Sequence, residues 1–272
     1  MKVVIAAAGQ GVRMLHLTKN KSKHLINVFK KPFLAYLLDN LRKAGYKEII
    51  LVVGYRADLM EKFLKEYNYK ATLVNQFEIL GGREKEYGTL CPIKCVKDIV
   101  GKENFLAIYG DNFFSTKTLK AFNINDNYNY IGASFHPHPE KYGVLIEENG
   151  FLKEIVEKPT RLKTDLDGGG RRSDTSERQS QYGSRENRLR ANILINAGIY
   201  KFTPEIFAKI PQVSLSPRGE YELTDAVNLL AKEKKVKIKK IPDKRFELGN
   251  PADIIRFARF LKGENAGAKE LF

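Results

Sequence analysis

Short apolar runs alternate with stretches of helical period along the first half of the chain. Val3 to Ala8 is unbroken and stops at Gly9-Gln10-Gly11, which predicts a strand buried on both faces that enters a tight loop. From Pro32, the positions Phe33, Leu34, Leu37, Leu38 and Leu41 recur at helical spacing and Gly45 supplies a stop. Ile49 to Val53 predicts a second buried strand, Leu59 to Tyr67 a second amphipathic helix and Lys70 to Val74 a third strand. Pro92 to Val100 reads as a helix, and Phe105 to Tyr109 and Tyr130 to Phe135 as strands. Strands alternating with helices predict an α/β fold with a mostly parallel sheet covered by helices on both faces. Ligands of such a sheet gather at the carboxyl ends of its strands.

After Pro137 the pattern shifts to shorter strands and turns, at Gly143 to Glu147, Leu152 to Val156, Ile193 to Phe202 and Val236 to Ile241. Helices are expected at Thr224 to Lys232 and Pro251 to Leu261. This α+β part is expected to pack against the same sheet. Thr160 to Arg190 is rich in Arg, Ser, Asp and Gln with few large apolar residues, and is expected to be a mobile excursion that buries too little to offset its ordering entropy. The expected organisation is one unit over 1–262, with halves at 1–136 and 137–262, an insertion at 160–190 and a tail at 263–272.

Composition narrows the class. Of 272 residues, 43% are hydrophobic, which suits a globular chain, and no apolar run approaches the ~18 residues of a membrane span. Nothing at the N-terminus reads as a signal peptide, so a cytoplasmic location is expected. The two cysteines, Cys91 and Cys95, are too few for a disulfide scaffold; their spacing suits one helix face, and buried thiols are expected. A formal charge of +15 admits nucleic acid, anionic lipid or phosphorylated small molecules as partners. No nucleic-acid-binding module is recognisable, and the Val236-Lys237-Ile238-Lys239 alternation reads as a strand with one exposed face, so neither nucleic acid nor membrane is expected as a partner.

Four segments carry candidate chemistry. Ala7-Ala8-Gly9-Gln10-Gly11-Val12-Arg13, followed by Lys19, Lys21 and Lys23, offers backbone N–H groups and cations to a polyphosphate. It lacks the third glycine of the dinucleotide fingerprint and the Lys of a Walker loop. Gly110-Asp111-Asn112 ends a predicted strand, where a carboxylate can hold Mg²⁺ against phosphates. Glu154-Ile155-Val156-Glu157-Lys158-Pro159 ends another, and alternation sets Glu157 and Lys158 on opposite faces. In Phe246-Glu247-Leu248-Gly249-Asn250-Pro251, Asn250 and Pro251 read as N-cap and first helical residue while Glu247 stays free to act as a second metal ligand. Taken alone, the first, second and fourth segments also fit an ordinary turn, and the third a solvated edge strand.

Together and in this order, these segments resemble the sugar-1-phosphate nucleotidyltransferases, or NDP-sugar pyrophosphorylases. The family opening L-A-A-G-x-G-x-R, then L-T and P-K, is matched by Ala6 to Arg13, Leu17-Thr18 and Ser22-Lys23. Lys31-Pro32, Gly54-Tyr55, Tyr87-Gly88-Thr89, Gly110-Asp111-Asn112, Tyr142-Gly143-Val144, Glu157-Lys158-Pro159, Asn196 to Tyr200 and Gly219 to Asp225 match further landmarks. The resemblance covers about 1–160 and 190–262, and implies a Rossmann-like fold of the nucleotide-diphospho-sugar transferase type with a nucleotide-binding first half and a sugar-binding second half.

It also implies roles. Ala7, Ala8, Gly9 and Gly11 with Arg13 would hold the triphosphate, Lys23 would sit by the α-phosphate, and Lys158 would take the sugar phosphate; Arg13, Lys23 and Lys158 are the implied catalytic groups. Asp111 and Glu247 would bind Mg²⁺. Gly143, Glu157 and Asn196 would hold the sugar, and Gln76, Gly88 and Thr89 the base. The implied reaction is in-line attack of a sugar 1-phosphate, glucose 1-phosphate for preference, on the α-phosphorus of dTTP or UTP, with release of pyrophosphate. The alternatives are a GTP-dependent mannose- or heptose-1-phosphate guanylyltransferase and a non-catalytic nucleotide-sugar sensor. The sensor is motivated by three departures: Ser22 and Asn27 where the family has prolines, and Glu247 where it commonly has Asp. No hexapeptide repeat follows Leu261, so a stand-alone transferase is expected, with homo-oligomerisation compatible and undetermined.

Overall fold

The computed structural model describes residues 1–9, 11–82, 85–159 and 193–263. Gln10, the expected excursion at Thr160 to Arg190 and all but the first residue of the expected tail lie outside the described residues. Thirteen strands are present among the described residues: β1 Lys2–Ala7, β2 Asn27–Val28, β3 Lys31–Pro32, β4 Ile49–Val53, β5 Thr72–Asn75, β6 Phe105–Tyr109, β7 Asn112–Phe113, β8 Asn129–Phe135, β9 Gly143–Glu148, β10 Phe151–Glu157, β11 Leu194–Phe202, β12 Val236–Lys240 and β13 Phe246–Glu247.

Nine of them form one sheet in the order β5-β4-β1-β6-β11-β8-β12-β10-β9. Its first four strands are parallel to one another. Across the whole sheet, only β10 and β11 run against the other seven, so the mostly parallel expectation is met. The second half does more than pack on this sheet. Its strand β11 lies between β6 and β8 and joins the two halves into one hydrogen-bonded surface.

The apolar runs work because both faces of the sheet are covered. Val3, Ile5 and Ala7 of β1, Leu51 and Val53 of β4 and Leu106 and Ile108 of β6 point into one core, against Leu34, Leu37, Leu38 and Leu41 of the helix Phe33–Lys43 and Met60, Phe63 and Leu64 of the helix Ala57–Glu66. Val4, Ile50, Val52, Phe105 and Ala107 alternate into the opposite core, against Ile93, Val96 and Val100 and against Leu223, Val227 and Leu230 of the helix Leu223–Lys232.

The helix expected from Pro92 to Val100 is corrected to two short ones, Cys91–Lys94 and Lys97–Val100. The break falls at Val96, whose φ of −108° leaves the helical range and whose side chain is wholly buried against the sheet; packing here overrides continuity. Cys91 is buried and Cys95 half-buried, both as free thiols. Burial pushes the Cys91 thiol up to about 12 and the Cys95 thiol up to about 11, so neither ionises readily.

A third, smaller core supports the loops at the carboxyl end of the sheet. Met14, Ile26, Val28, Phe33, Phe113, Leu248 and Phe257 pack together, with the rings of Phe33 and Phe113 each 5.0 Å from that of Phe257. A fully buried side chain of this kind stabilises by roughly 1.5–3 kcal/mol. The helix Pro251–Leu261 carrying Phe257 starts as expected: Asn250 caps it, and Asp253 reaches back to accept from the Gly249 and Asn250 N–H groups at 2.8 Å each.

Candidate active site

Three chain segments meet beyond the carboxyl ends of β1 and β6. Gly11 has φ +69°, and a β-carbon there would stand 2.9 Å from Cβ of Lys23, so the first-glycine turn lies directly against the lysine. Thr18 Oγ1 donates to the Gly11 carbonyl at 3.0 Å and closes that turn. The Gly110 N–H donates to the Ala6 carbonyl at 2.9 Å, extending the β1–β6 ladder and setting Asp111 beside the same turn. Lys23 and Asp111 form an ion pair, with their side chains 13% and 16% exposed. Burial alone would raise the Asp111 carboxyl; the charge and hydrogen bond of Lys23 outweigh it and hold the group below the usual carboxylate range.

His24 lies beneath this pair. Its imidazole is buried, Nδ1 is 2.7 Å from Ser22 Oγ, and burial followed by the Lys23 charge pushes it down to about 3, so it is neutral. Ser22, which stands where the family has proline, is itself fully buried in this contact.

The second carboxylate arrives by strand pairing. β13 pairs antiparallel with β7, setting Glu247 opposite Asn112, and the Leu248 N–H donates to the Asp111 carbonyl at 2.8 Å. The third core locks that pairing. Asp111 and Glu247, 136 positions apart in sequence, are thus neighbours beside the first-glycine turn. Among the described residues no third His, Cys, Asp or Glu joins them in a metal-binding group. Arg13 is exposed, and its charge acts on the Tyr142 hydroxyl, on the same side.

Gly143, Glu157 and Asn196 also converge. Gly143 and Glu157 are register partners in the β9–β10 hairpin, and β9 touches β11 at Val144 and Ile195. A β-carbon on Gly143 would stand 3.0 Å from Glu157 Oε2 and 3.6 Å from Asn196 Cβ. Asn196 Nδ2 donates to Tyr200 Oη at 2.6 Å, which in turn lies 3.3 Å from Tyr109 Oη. Burial raises the Glu157 carboxyl above its usual range, although Lys158 and Arg218 pull it down.

Lys158 is not simply the next residue of an alternating strand. Its backbone turns left-handed, with φ +44°, its N–H donates to the Tyr142 carbonyl at 3.0 Å, and its side chain is exposed. The opposite-face expectation is corrected on this point: β10 ends at Glu157, and a turn, not the pleat, aims Lys158.

The base-contact residues divide. Gln76 opens the helix Gln76–Leu80 after β5; it is buried, and among the described residues its Oε1 has no hydrogen-bond partner. Phe77 and Ala8 both crowd Gly54, which puts this helix next to the first-glycine turn. Gly88 instead packs against backbone: a β-carbon there would stand 2.2 Å from the Tyr221 carbonyl oxygen. Thr89 Oγ1 accepts from the Leu223 N–H at 2.8 Å and donates to Glu222 at 3.2 Å, so its hydroxyl is committed to starting the helix Leu223–Lys232.

Sequence reading missed two arginines. Arg218 lies 3.7 Å from Glu157 and 2.7 Å from Glu222. Arg245 donates from Nη1 to Asn112 Oδ1 at 2.7 Å and to Glu247 Oε2 at 3.3 Å. Arg218 immediately precedes the Gly219 to Asp225 landmark, a signal that could have found it; Arg245, among 47 basic residues, had none.

The glycine turn and the acidic pair lie at the carboxyl edge of the sheet, and the model of the nucleotidyl transferase family matches residues 2–264. The chain belongs to that family. It is 32% identical over 257 residues to a bifunctional sugar-1-phosphate nucleotidylyltransferase/acetyltransferase of Sulfurisphaera tokodaii, which covers 94% of this chain and 54% of that protein. It is 26% identical over 285 residues to the UTP–glucose-1-phosphate uridylyltransferase AglF of Haloferax volcanii, covering 99% of this chain and 100% of the relative. A solved UDP-glucose pyrophosphorylase complexed with UDP-glucose shares the fold, with a TM-score of 0.73 at 21% identity over 97% of this chain and 99% of the other. The chain spans about half the length of bifunctional relatives such as the first. Among the described residues, no helix is long and apolar enough to cross a membrane.

Proposed function

We propose that the chain is a sugar-1-phosphate nucleotidyltransferase that joins a sugar 1-phosphate, glucose 1-phosphate for preference, to UTP or dTTP and releases pyrophosphate. The observation that carries this reading is the meeting of Asp111, Glu247 and Lys23 against the Gly11 turn. The names of the Haloferax relative and of the UDP-glucose complex favour glucose 1-phosphate with UTP.

The donor set fits Mg²⁺. Two carboxylates, Asp111 in the turn before β7 and Glu247 on β13, offer hard oxygen ligands, and this ion is held by one or two carboxylates together with substrate phosphates. Bound by Asp111 and Glu247, it would neutralise charge on the phosphate oxygens. The protein's own part is positioning and charge. The Ala7 to Gly11 turn presents backbone to the triphosphate with Arg13 alongside, and Lys23, now paired with Asp111, turns to the α-phosphate. Lys158 takes the sugar phosphate, while Glu157 and Asn196 beside Gly143 accept and donate hydrogen bonds to sugar hydroxyls. Gln76 spends its free oxygen on the base. Holding two anionic reactants in line removes much of the entropic barrier without a covalent intermediate. In this reading residues 1–136 serve the nucleotide and 137–262 the sugar.

Pyrophosphate release should be measured with Mg²⁺ across UTP, dTTP, GTP, ATP and CTP against glucose, mannose, heptose and amino-sugar 1-phosphates. Turnover with glucose 1-phosphate and UTP or dTTP is expected. Turnover only with GTP would move the substrate assignment to the guanylyltransferases, and no turnover with any pair would leave a nucleotide-sugar sensor.

A further inference from the structure

Arg245 holds a guanidinium in the middle of the site that no role above employs. Its side chain is only 9% exposed, yet of its five N–H donors only those on Nη1 are spent, on Asn112 and Glu247, among the described residues. Nε and Nη2 find no acceptor there, and neither is sealed away from solvent. The guanidinium carbon lies 5.2 Å from the centroid of the Tyr142 ring. Tyr142 is also the residue whose carbonyl accepts the Lys158 N–H. Arg245 is therefore tethered at one nitrogen beside Glu247 and lies near the ring of the residue that also holds the Lys158 backbone.

A nearly buried guanidinium with unspent donors calls for a planar pair of anionic oxygens, because each unmade charged hydrogen bond forfeits more than a neutral one. The acceptors beside it, the Asn112 amide oxygen and the Glu247 carboxylate, are already engaged by Nη1. Tyr142, whose ring the guanidinium approaches, accepts through its carbonyl the backbone N–H of the lysine assigned to the sugar phosphate. We propose that Arg245 is a phosphate-binding residue of the sugar 1-phosphate site, held through Nη1 and offering Nε and Nη2 to the phosphate oxygens. The proposal rests on the nucleotidyltransferase reading and adds a residue to it. It also accounts for the tether: Asn112 and Glu247 fix the plane of the fork, so little side-chain entropy is lost on binding.

The test compares wild type, Arg245→Met and Arg245→Lys, using glucose 1-phosphate or whichever sugar 1-phosphate the wild type turns over. Steady-state KM and kcat would be measured for both substrates, with calorimetric binding of the sugar phosphate alone and thermal melting of each variant. Loss of the guanidinium should raise KM and weaken calorimetric affinity for the sugar 1-phosphate by roughly ten- to hundredfold, with KM for the nucleotide nearly unchanged. Arg245→Lys should fall between, and added guanidinium ion should restore part of the Arg245→Met loss. An unchanged KM for the sugar phosphate, or equal rises for both substrates, would overturn the inference while leaving wild-type turnover, and so the functional reading, intact. Should Arg245→Met fail to fold, the Lys variant decides: a sugar-phosphate KM equal to that of wild type with a shifted Mg²⁺ requirement would assign Arg245 to Glu247 alone.

Discussion

The two sides of the cleft are built differently. On the phosphate side, each carboxylate is matched with a cation, Asp111 with Lys23 and Glu247 with Arg245, and the partners come from loops and two-residue strands. On the side proposed for the sugar, Gly143, Glu157 and Asn196 sit on strands of the main sheet and are fixed by ladder register, and the acids Glu157, Glu222 and Asp225 share Arg218, with Lys158 acting on Glu157 as well. The first arrangement balances charge before highly charged ligands arrive, and leaves Lys23 to exchange Asp111 for a phosphate. The second suits neutral hydroxyls, which need donors and acceptors at fixed places.

The sharpest way to break this comparison is Asp111→Asn. It removes the charge that balances Lys23 while keeping the shape, and kcat should fall by roughly 10²- to 10³-fold, as for loss of a single charge-stabilising group, with KM for the sugar phosphate little altered. Steady-state kinetics checks this; a sugar-side KM defect instead would erase the distinction.

Acidification should separate the sides next. His24 has its folded value near 3 against about 6.5 when unfolded, so the unfolded chain binds the extra proton first and stability is lost as pH falls from 6.5 toward 3. For this group alone the loss is about 2 kcal/mol at pH 5. Glu157 has the opposite sign: its raised carboxyl costs stability when ionised, and that cost is relieved as pH falls. Melting curves between pH 5 and 8 should show a net fall on the acid side that His24→Gln flattens.

The smallest expected effect comes from Gly143→Ala. Its β-carbon would meet Ile155 Cγ2 at 2.9 Å and Glu157 Oε2 at 3.0 Å, so Glu157 must shift. KM for the sugar phosphate should rise by roughly tenfold, the scale of one or two displaced hydrogen bonds, with kcat and the nucleotide KM near wild type. A nucleotide-side defect of the same size would show that the ladder does not insulate one side from the other.

Legibility followed the same divide. Strands β1, β4 and β6 could be read because burial on both faces writes an unbroken apolar run, and the helix at Pro251 because Asn250 and Pro251 spell its start. The helices Gln76–Leu80 and Thr116–Ala121 were missed, although Asn75 and Ser115 cap them, since neither is long enough to show a period. The acidic pair was found by resemblance, and its geometry was not readable, because it depends on a two-residue ladder between β7 and β13 that no local pattern announces. Arg245 was invisible for the same reason: its acceptors are Asn112, far away in sequence, and a glutamate two residues on, a spacing common on any charged surface.

The turn at Lys158 sets a limit on how stable this protein can become. A left-handed backbone disfavours any residue with a β-carbon by roughly 1–2 kcal/mol, and only glycine, or to a lesser degree asparagine, escapes. Lys158→Gly would relieve that cost, and under the proposed function it would give up the cation assigned to the sugar phosphate, so stability and turnover pull this one position in opposite directions.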